Sequence, residues 1–206
     1  MRALVLVDLQ YDFMPGGALA VAHGDETIPV ARKLMPRFDI VVATQDWHPR
    51  DHKSFAANNP GRQVGELVPT SLGGSQVMWP VHCVQGTRGA DLHESLERSQ
   101  ITAVFRKGID PDVDSYSGFF DNGHNKATGL GDWLKQKRVD RLYVLGLATD
   151  YCVKFTVLDA RDLGFDVWLI EDGSRGVDLS PDDTDKAIAE MRDHGATIII
   201  SGSIAS

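Results

Sequence analysis

Only two cysteines, Cys83 and Cys152, occur in 206 residues. That is too few for a disulfide framework, and neither sits in a C-x-x-C pair that would suggest dithiol redox work. Positive charge is also scarce: 21 Lys and Arg against 29 Asp and Glu give a net charge of -8. No basic cluster reverses that excess, which argues against a nucleic-acid partner. Long apolar runs are missing. The run Ala3–Val7 stops at Asp8, far too short for a signal h-region or a membrane span. A cytoplasmic protein with no membrane partner is therefore expected. There is no G-x-S-x-G elbow, no G-x-x-x-x-G-K-[ST] loop and no G-x-G-x-x-G after the first apolar run, which sets aside serine-triad hydrolysis and nucleotide binding.

What remains is ordinary for a soluble globular chain, with 42% hydrophobic and 24% charged residues. A single domain over residues 1–206 is expected. Short apolar runs predict strands at residues 3–7, 39–44, 101–105, 142–145, 166–170 and 197–200. Between them, helical spacing appears from Thr27 to Pro36, with Ile28, Ala31, Leu34 and Met35 as the inner face. It recurs over Thr128–Lys137, from Val153 to Gly164, and from a Ser180 cap to about His194. A short helix over Asp91–Arg98 is also suggested. From Ala56 to Met78 there is no period, only loop punctuation, so a long loop is expected, either a functional cover or disordered. Alternating strands and helices imply a three-layer α/β/α fold with a parallel sheet of about six strands.

Ligands in such sheets bind beyond the carboxyl ends of the strands. Asp8 follows the first strand, Asp46 and His48 the second, Lys107 the third and Cys152 the fourth. Thr149 or Asp150 can cap the helix that carries Cys152, placing the thiol in its first turn. Helix N–H groups there favour a thiolate and can hold an oxyanion, while the charge of Asp150 works against the thiolate. With Asp8 as base and Lys107 as electrostatic partner, Cys152 becomes a candidate nucleophile. A structural Asp–Lys pair with a packed cysteine behind it explains the same spacing. Asp46 and His48, at i and i+2 on an extended segment, point the same way, and with His82 they suit zinc, iron or manganese. His52 is a further candidate ligand. Cys83 is either a soft ligand or a core residue. Phe13, Trp79 and Tyr116 lie in loops near these groups and can line a slot for a flat ring.

These segments resemble a known family. VDLQYDF (Val7–Phe13), QDWHP (Gln45–Pro49), WPVHC (Trp79–Cys83), FRKG (Phe105–Gly108), DSYSGFFDNG (Asp114–Gly123) and GLATDYCVKFTVLDA (Gly146–Ala160) are similar, in the same order, to motifs of the nicotinamidases within the isochorismatase-like hydrolases. The resemblance implies an isochorismatase-like fold. It implies conversion of nicotinamide to nicotinate and ammonia in NAD salvage, with pyrazinamide cleaved as well. Asp8, Lys107 and Cys152 would form the catalytic triad, and a thioester would form on Cys152. The backbone N–H groups of Ala148 and Cys152 would hold the oxyanion beside a cis Leu147–Ala148 peptide. Phe13, Trp79, Tyr116 and Leu147 would bind the ring. One divalent ion, zinc first, would sit on Asp46, His48 and His82, with His52 or water completing its shell.

Two other readings compete. A cysteine amidohydrolase of the same superfamily acting on a non-aromatic amide has no ring nitrogen for the metal to hold. A metal-binding or thiol-redox protein would leave Asp8 and Lys107 unexplained. Whether the chain works as a monomer or a homo-oligomer is not specified at this level.

Overall fold

The computed structural model describes residues 1–70 and 74–204. In chain order the strands are β1 (Arg2–Val7), β2 (Ile40–Asp46), β3 (Leu67–Pro69), β4 (Ser75–Val77), β5 (Ala103–Lys107), β6 (Arg141–Leu147), β7 (Asp166–Arg175) and β8 (Thr197–Ile199). Six of them build one parallel sheet in the order β5-β2-β1-β6-β7-β8, and β3 and β4 pair apart from it as an antiparallel hairpin. Four helices cover the sheet: α1 (Thr27–Leu34), α2 (Leu130–Gln136), α3 (Lys154–Asp162) and α4 (Asp183–Asp193). None among the described residues is long and apolar enough to cross a membrane.

The central strand shows why the sequence takes this form. β1 is flanked by β2 and β6, and helices cover both of its faces. Its residues after Arg2 are therefore all apolar, as a strand buried on two sides requires. Leu4 and Leu6 belong to the core under α1, with Ile28, Ala31 and Leu34. Ala3, Val5 and Val7 belong to the opposite core, with Leu134 of α2, Val157 of α3 and Met191 of α4. α1 tolerates Pro29 in its first turn and closes at Leu34, before Pro36. The carboxyl ends of β5, β2, β1 and β6 then lie side by side, since every neighbouring pair is parallel.

Several local expectations change. No helix forms over Asp91–Arg98. Leu92 and Leu96 are buried, but the segment's backbone is engaged elsewhere: His93 N–H donates to Leu9 O at 2.8 Å, and Asp91 O accepts from Tyr11 N–H at 3.2 Å. Tertiary bonds to the loop after β1 thus outcompete a single helical turn. The expected loop over residues 56–78 contains the hairpin β3–β4, whose strands are too short to show a period. Residues 71–73 of that stretch lie outside the described residues. The third strand starts and ends later than the apolar run suggests, so Lys107 is its last residue rather than its successor. The turn after β6 is a wide π-type turn, Thr149–Val153, capped by Ala148, which puts Thr149 and Asp150 inside it. α4 starts at Asp183 rather than at the Ser180 cap, and the Asp183 carboxylate accepts from Ser180 N–H at 2.8 Å.

Gly146 lies where β6 passes β1, with φ of 136°. A Cβ there would sit 2.1 Å from Val7 O, a backbone atom that cannot move away. Gly146→Ala is expected to destabilise the fold by more than about 3 kcal/mol. An unchanged urea midpoint would show that this crossing is looser than described.

Candidate active site and metal centre

Parallel register brings the strand ends together. Asp46, last in β2, pairs with Lys107, last in β5. Asp8 follows β1 in the left-handed region, with φ of 49°, and Cys152 sits in the turn after β6. All four are buried. The Lys107 ammonium is the hub. Its Nζ donates to Asp46 Oδ1 at 2.6 Å, to Ser115 O at 2.9 Å and to Cys152 Sγ at 3.3 Å, and lies 2.9 Å from Asp8 Oδ2. Burial alone would lower its pKa, but the charges of Asp46 and Asp8 outweigh that and hold it well above the ordinary lysine range.

The thiol responds the other way. Burial pushes Cys152 well above its usual range. Lys107 pulls it down, while the carboxylates of Asp8 and Asp46 push it up. Cys152 therefore rests as a thiol at neutral pH and needs a base. Asp8 is suited to that. Burial raises its pKa against the pull of Lys107. Thr44 Oγ1 donates to Asp8 Oδ1 at 2.6 Å, while Oδ2 has only its ion pair and no aligned hydrogen bond. One carboxylate oxygen is thus fixed, and the other is open to a proton. The carboxylate of Asp150, expected to oppose a thiolate, is engaged on another loop. Its two oxygens accept from Val177 N–H at 2.9 Å and Asp178 N–H at 2.8 Å, which turns the charge toward that loop.

Beside this cluster, Asp46, His48 and His82 place one ligand atom each within 4.8 Å of the others. The donor set fits a divalent cation because the far side of each ring is already fixed. His48 Nδ1–H donates to Gly108 O at 2.9 Å, and His82 Nδ1–H to Pro80 O at 2.8 Å. Both Nε2 lone pairs therefore face Asp46 Oδ2, at 3.5 and 3.8 Å, as backbone partners orient imidazoles in metal sites. Gly108 is required here: a Cβ would lie 2.3 Å from the His48 ring. Asp46 divides its labour, with Oδ1 on Lys107 and Oδ2 toward the histidines. His52 is fully buried beside His48, with ring centroids 4.4 Å apart. Burial lowers its pKa to about 4, so the ring is neutral. Cys83 belongs to the core under α1 and to no ligand cluster among the described residues.

A narrow cavity of about 30 Å³ joins the two groups, bordered by Phe13, Trp79, Tyr116, Ala148 and Cys152. Trp79 Nε1–H donates to Tyr116 OH at 3.2 Å, and the two rings meet edge to face. The Leu147–Ala148 peptide is cis. Leu147 itself is fully buried in the core and does not border the cavity, so the neighbouring Ala148 takes that place. Two supporting residues escaped the sequence reading. Gln10 clasps the end of β2, accepting from Asp46 N–H and donating to Asp46 O, both at 2.8 Å. Asp114 stands on the cavity wall, accepting from Gln76 Nε2 at 2.9 Å. Neither carries a local signal beyond lying in a quoted motif.

Removing the hub should be costly. Lys107→Met leaves Asp8 and Asp46 buried without a cation, and a loss of about 3–5 kcal/mol is expected in urea unfolding of metal-free protein at pH 7. The deficit should shrink toward pH 4, where the stranded carboxylates take up protons. A deficit that does not change with pH would contradict this account of the cluster.

Comparison with known proteins agrees with this geometry. The isochorismatase domain model matches residues 2–202. The nicotinamidase of Escherichia coli strain K12 is 53% identical over 96% of this chain and 93% of its own length. A solved structure of the Acinetobacter baumanii nicotinamidase/pyrazinamidase superposes with a TM-score of 0.96 at 45% identity, covering 99% of this chain and 98% of that one. The pyrazinamidase of Pyrococcus horikoshii, solved in complex with zinc, gives a TM-score of 0.76 at 37% identity over 97% of this chain and 98% of that one. The chain belongs to the isochorismatase family of hydrolases, within its nicotinamidase/pyrazinamidase branch.

Proposed function

We propose that this chain, acting as one catalytic domain, hydrolyses nicotinamide to nicotinate and ammonia in NAD salvage, and cleaves pyrazinamide in the same way. The observation that carries the proposal is the Lys107 ammonium, 3.3 Å from the Cys152 sulfur and 2.9 Å from Asp8 Oδ2, beside an aromatic cavity that ends at three converging metal ligands.

The chemistry follows from the protonation states. Cys152 passes its proton to Asp8 Oδ2 as the sulfur attacks the carboxamide carbon. The ammonium of Lys107 stabilises both the departing thiolate character and the aspartate. The backbone N–H groups of Ala148 and Cys152 receive the carbonyl oxygen as it becomes an oxyanion. Asp8 returns the proton to the amide nitrogen, the C–N bond breaks, and ammonia leaves a thioester on Cys152. A water gives a proton to Asp8 and attacks the thioester carbon; the C–S bond breaks, that proton returns to sulfur to restore the thiol, and the nicotinic acid released gives its own proton to solvent as nicotinate. Asp46, His48 and His82 would hold the divalent ion, zinc in preference to iron or manganese. When bound, it supplies a Lewis acid for the ring nitrogen, and so orients the substrate. Phe13, Trp79 and Tyr116 confine the ring between that point and the sulfur.

Asp8 serves as base only as a carboxylate, and burial holds its pKa above the ordinary value. kcat/KM should therefore fall as pH drops through that raised value. Purified zinc-loaded protein is expected to release ammonia from nicotinamide and from pyrazinamide, and Cys152→Ala to lower the rate by at least about 10³-fold. Absence of release by the folded, zinc-loaded wild type would end the proposal.

A further inference from the structure

Asp150 is a buried carboxylate, two residues before the nucleophile, that the proposed reaction leaves unused. Both of its oxygens are engaged on one loop: Oδ1 accepts from Val177 N–H at 2.9 Å and Oδ2 from Asp178 N–H at 2.8 Å. Two charge-assisted bonds to successive backbone groups fix the loop in orientation as well as in position. The loop is held from its other side too. Asp178 sits in the left-handed region with φ of 51°, and its Oδ1 accepts from Thr184 N–H, in the first turn of α4, at 2.8 Å. Gly176 gives the room this needs, since a Cβ there would lie 1.8 Å from Thr184 Oγ1 and 3.3 Å from Asp150 Oδ1.

What the loop delivers is Val177. It borders the catalytic cavity together with Tyr151 and Cys152 of the turn that carries Asp150. A single carboxylate thus ties the nucleophile's turn to the opposite wall of the cavity. Val177 is half-buried, so packing holds it less firmly than a core residue, and the bond to its N–H supplies the missing constraint. The cavity measures only about 30 Å³, and a small retreat of this wall changes which rings fit. The contacts of Lys107 with Asp8, Asp46 and Cys152 do not pass through Asp150.

We infer that Asp150 is a positioning residue that sets the width of the ring slot through Val177, and that this width excludes amides whose rings carry substituents. The inference rests on the reading that the chain cleaves nicotinamide at Cys152. A brace on the wall governs how the ring fits and leaves the reacting groups in place, so its loss separates KM from kcat. A brace that only stabilised the fold would do neither.

Asp150→Asn keeps the shape of the side chain but has one acceptor for two backbone donors, and its amide hydrogens face the other N–H. In that variant the amides of Val177 and Asp178 should exchange with deuterium at least about tenfold faster than in the wild type. KM for nicotinamide should rise about tenfold while kcat stays within about threefold. For ring-methylated nicotinamides, kcat/KM relative to nicotinamide should rise at least about fivefold. Val177→Ala trims the wall and spares the carboxylate, and it should raise the same ratio. The double variant should go no further than the larger single one, because both act through one wall. A fall in kcat in Asp150→Asn with KM and selectivity unchanged would overturn the inference, as would additive effects in the double variant. So would wild-type selectivity in Val177→Ala, a test that does not depend on how Asp150→Asn folds. A wild type that releases no ammonia would refute the proposed reaction and the selectivity with it. Unchanged amide exchange in Asp150→Asn would refute the clasp while leaving that reaction standing.

Discussion

A lysine ammonium with no access to water can persist only if the protein supplies the charge that water would have screened. Lys107 meets that condition with Asp8, Asp46, the Ser115 carbonyl and the Cys152 sulfur, all within 3.3 Å. Each partner comes from a different strand end or loop, so the condition is met only when β1, β2, β5 and the turn after β6 are in register. The cation therefore binds the site together and also sets its chemistry. It keeps Asp46 ionised for the metal side and steadies Asp8 as a base. It also faces the sulfur, so charge forming there meets an ammonium already in place.

The sheet is suited to this because its edge is a fixed template. β1 has no polar residue between Ala3 and Val7, since helices cover both faces. The first polar side chain after the strand, Asp8, appears where the helical cover ends. Asp46 and Lys107 lie at the same edge, ending their strands at paired positions. Buried polar groups are tolerated there because each has a partner. Asp8 Oδ2, which has its ion pair with Lys107 but no aligned hydrogen bond, is the oxygen left open to a proton.

The residues chosen from the sequence differ in how they were visible. Strand-end position alone singled out Asp8, Asp46, His48, Lys107 and Cys152, because short apolar runs mark buried strands and the rule for open α/β sheets locates their active edge. Phe13, Trp79 and Tyr116 were visible as loop aromatics near those ends. Leu147 was taken as a ring contact by resemblance; its side chain is fully buried in the core, and the next residue, Ala148, borders the cavity. Gln10, Asp114 and the tether from Gln76 were invisible, because their importance lies in hydrogen bonds to residues far away in the chain. The missed hairpin and the absent helix over 91–98 have the same origin: these backbones are satisfied by partners that no local window contains.

By itself, the sequence determined the parallel α/β architecture, the chain order of the six main-sheet strands and the four helices, and the residue types gathered at one edge. Those properties follow from local periodicity and from where apolar runs stop. Only the tertiary structure decided which oxygen of Asp46 faces Lys107 and which faces the histidines, where the charge of Asp150 points, and which nitrogen of each imidazole carries a proton. Such choices depend on single donors and acceptors brought within 3 or 4 Å by packing, and nothing in the linear order of residues fixes distances of that size.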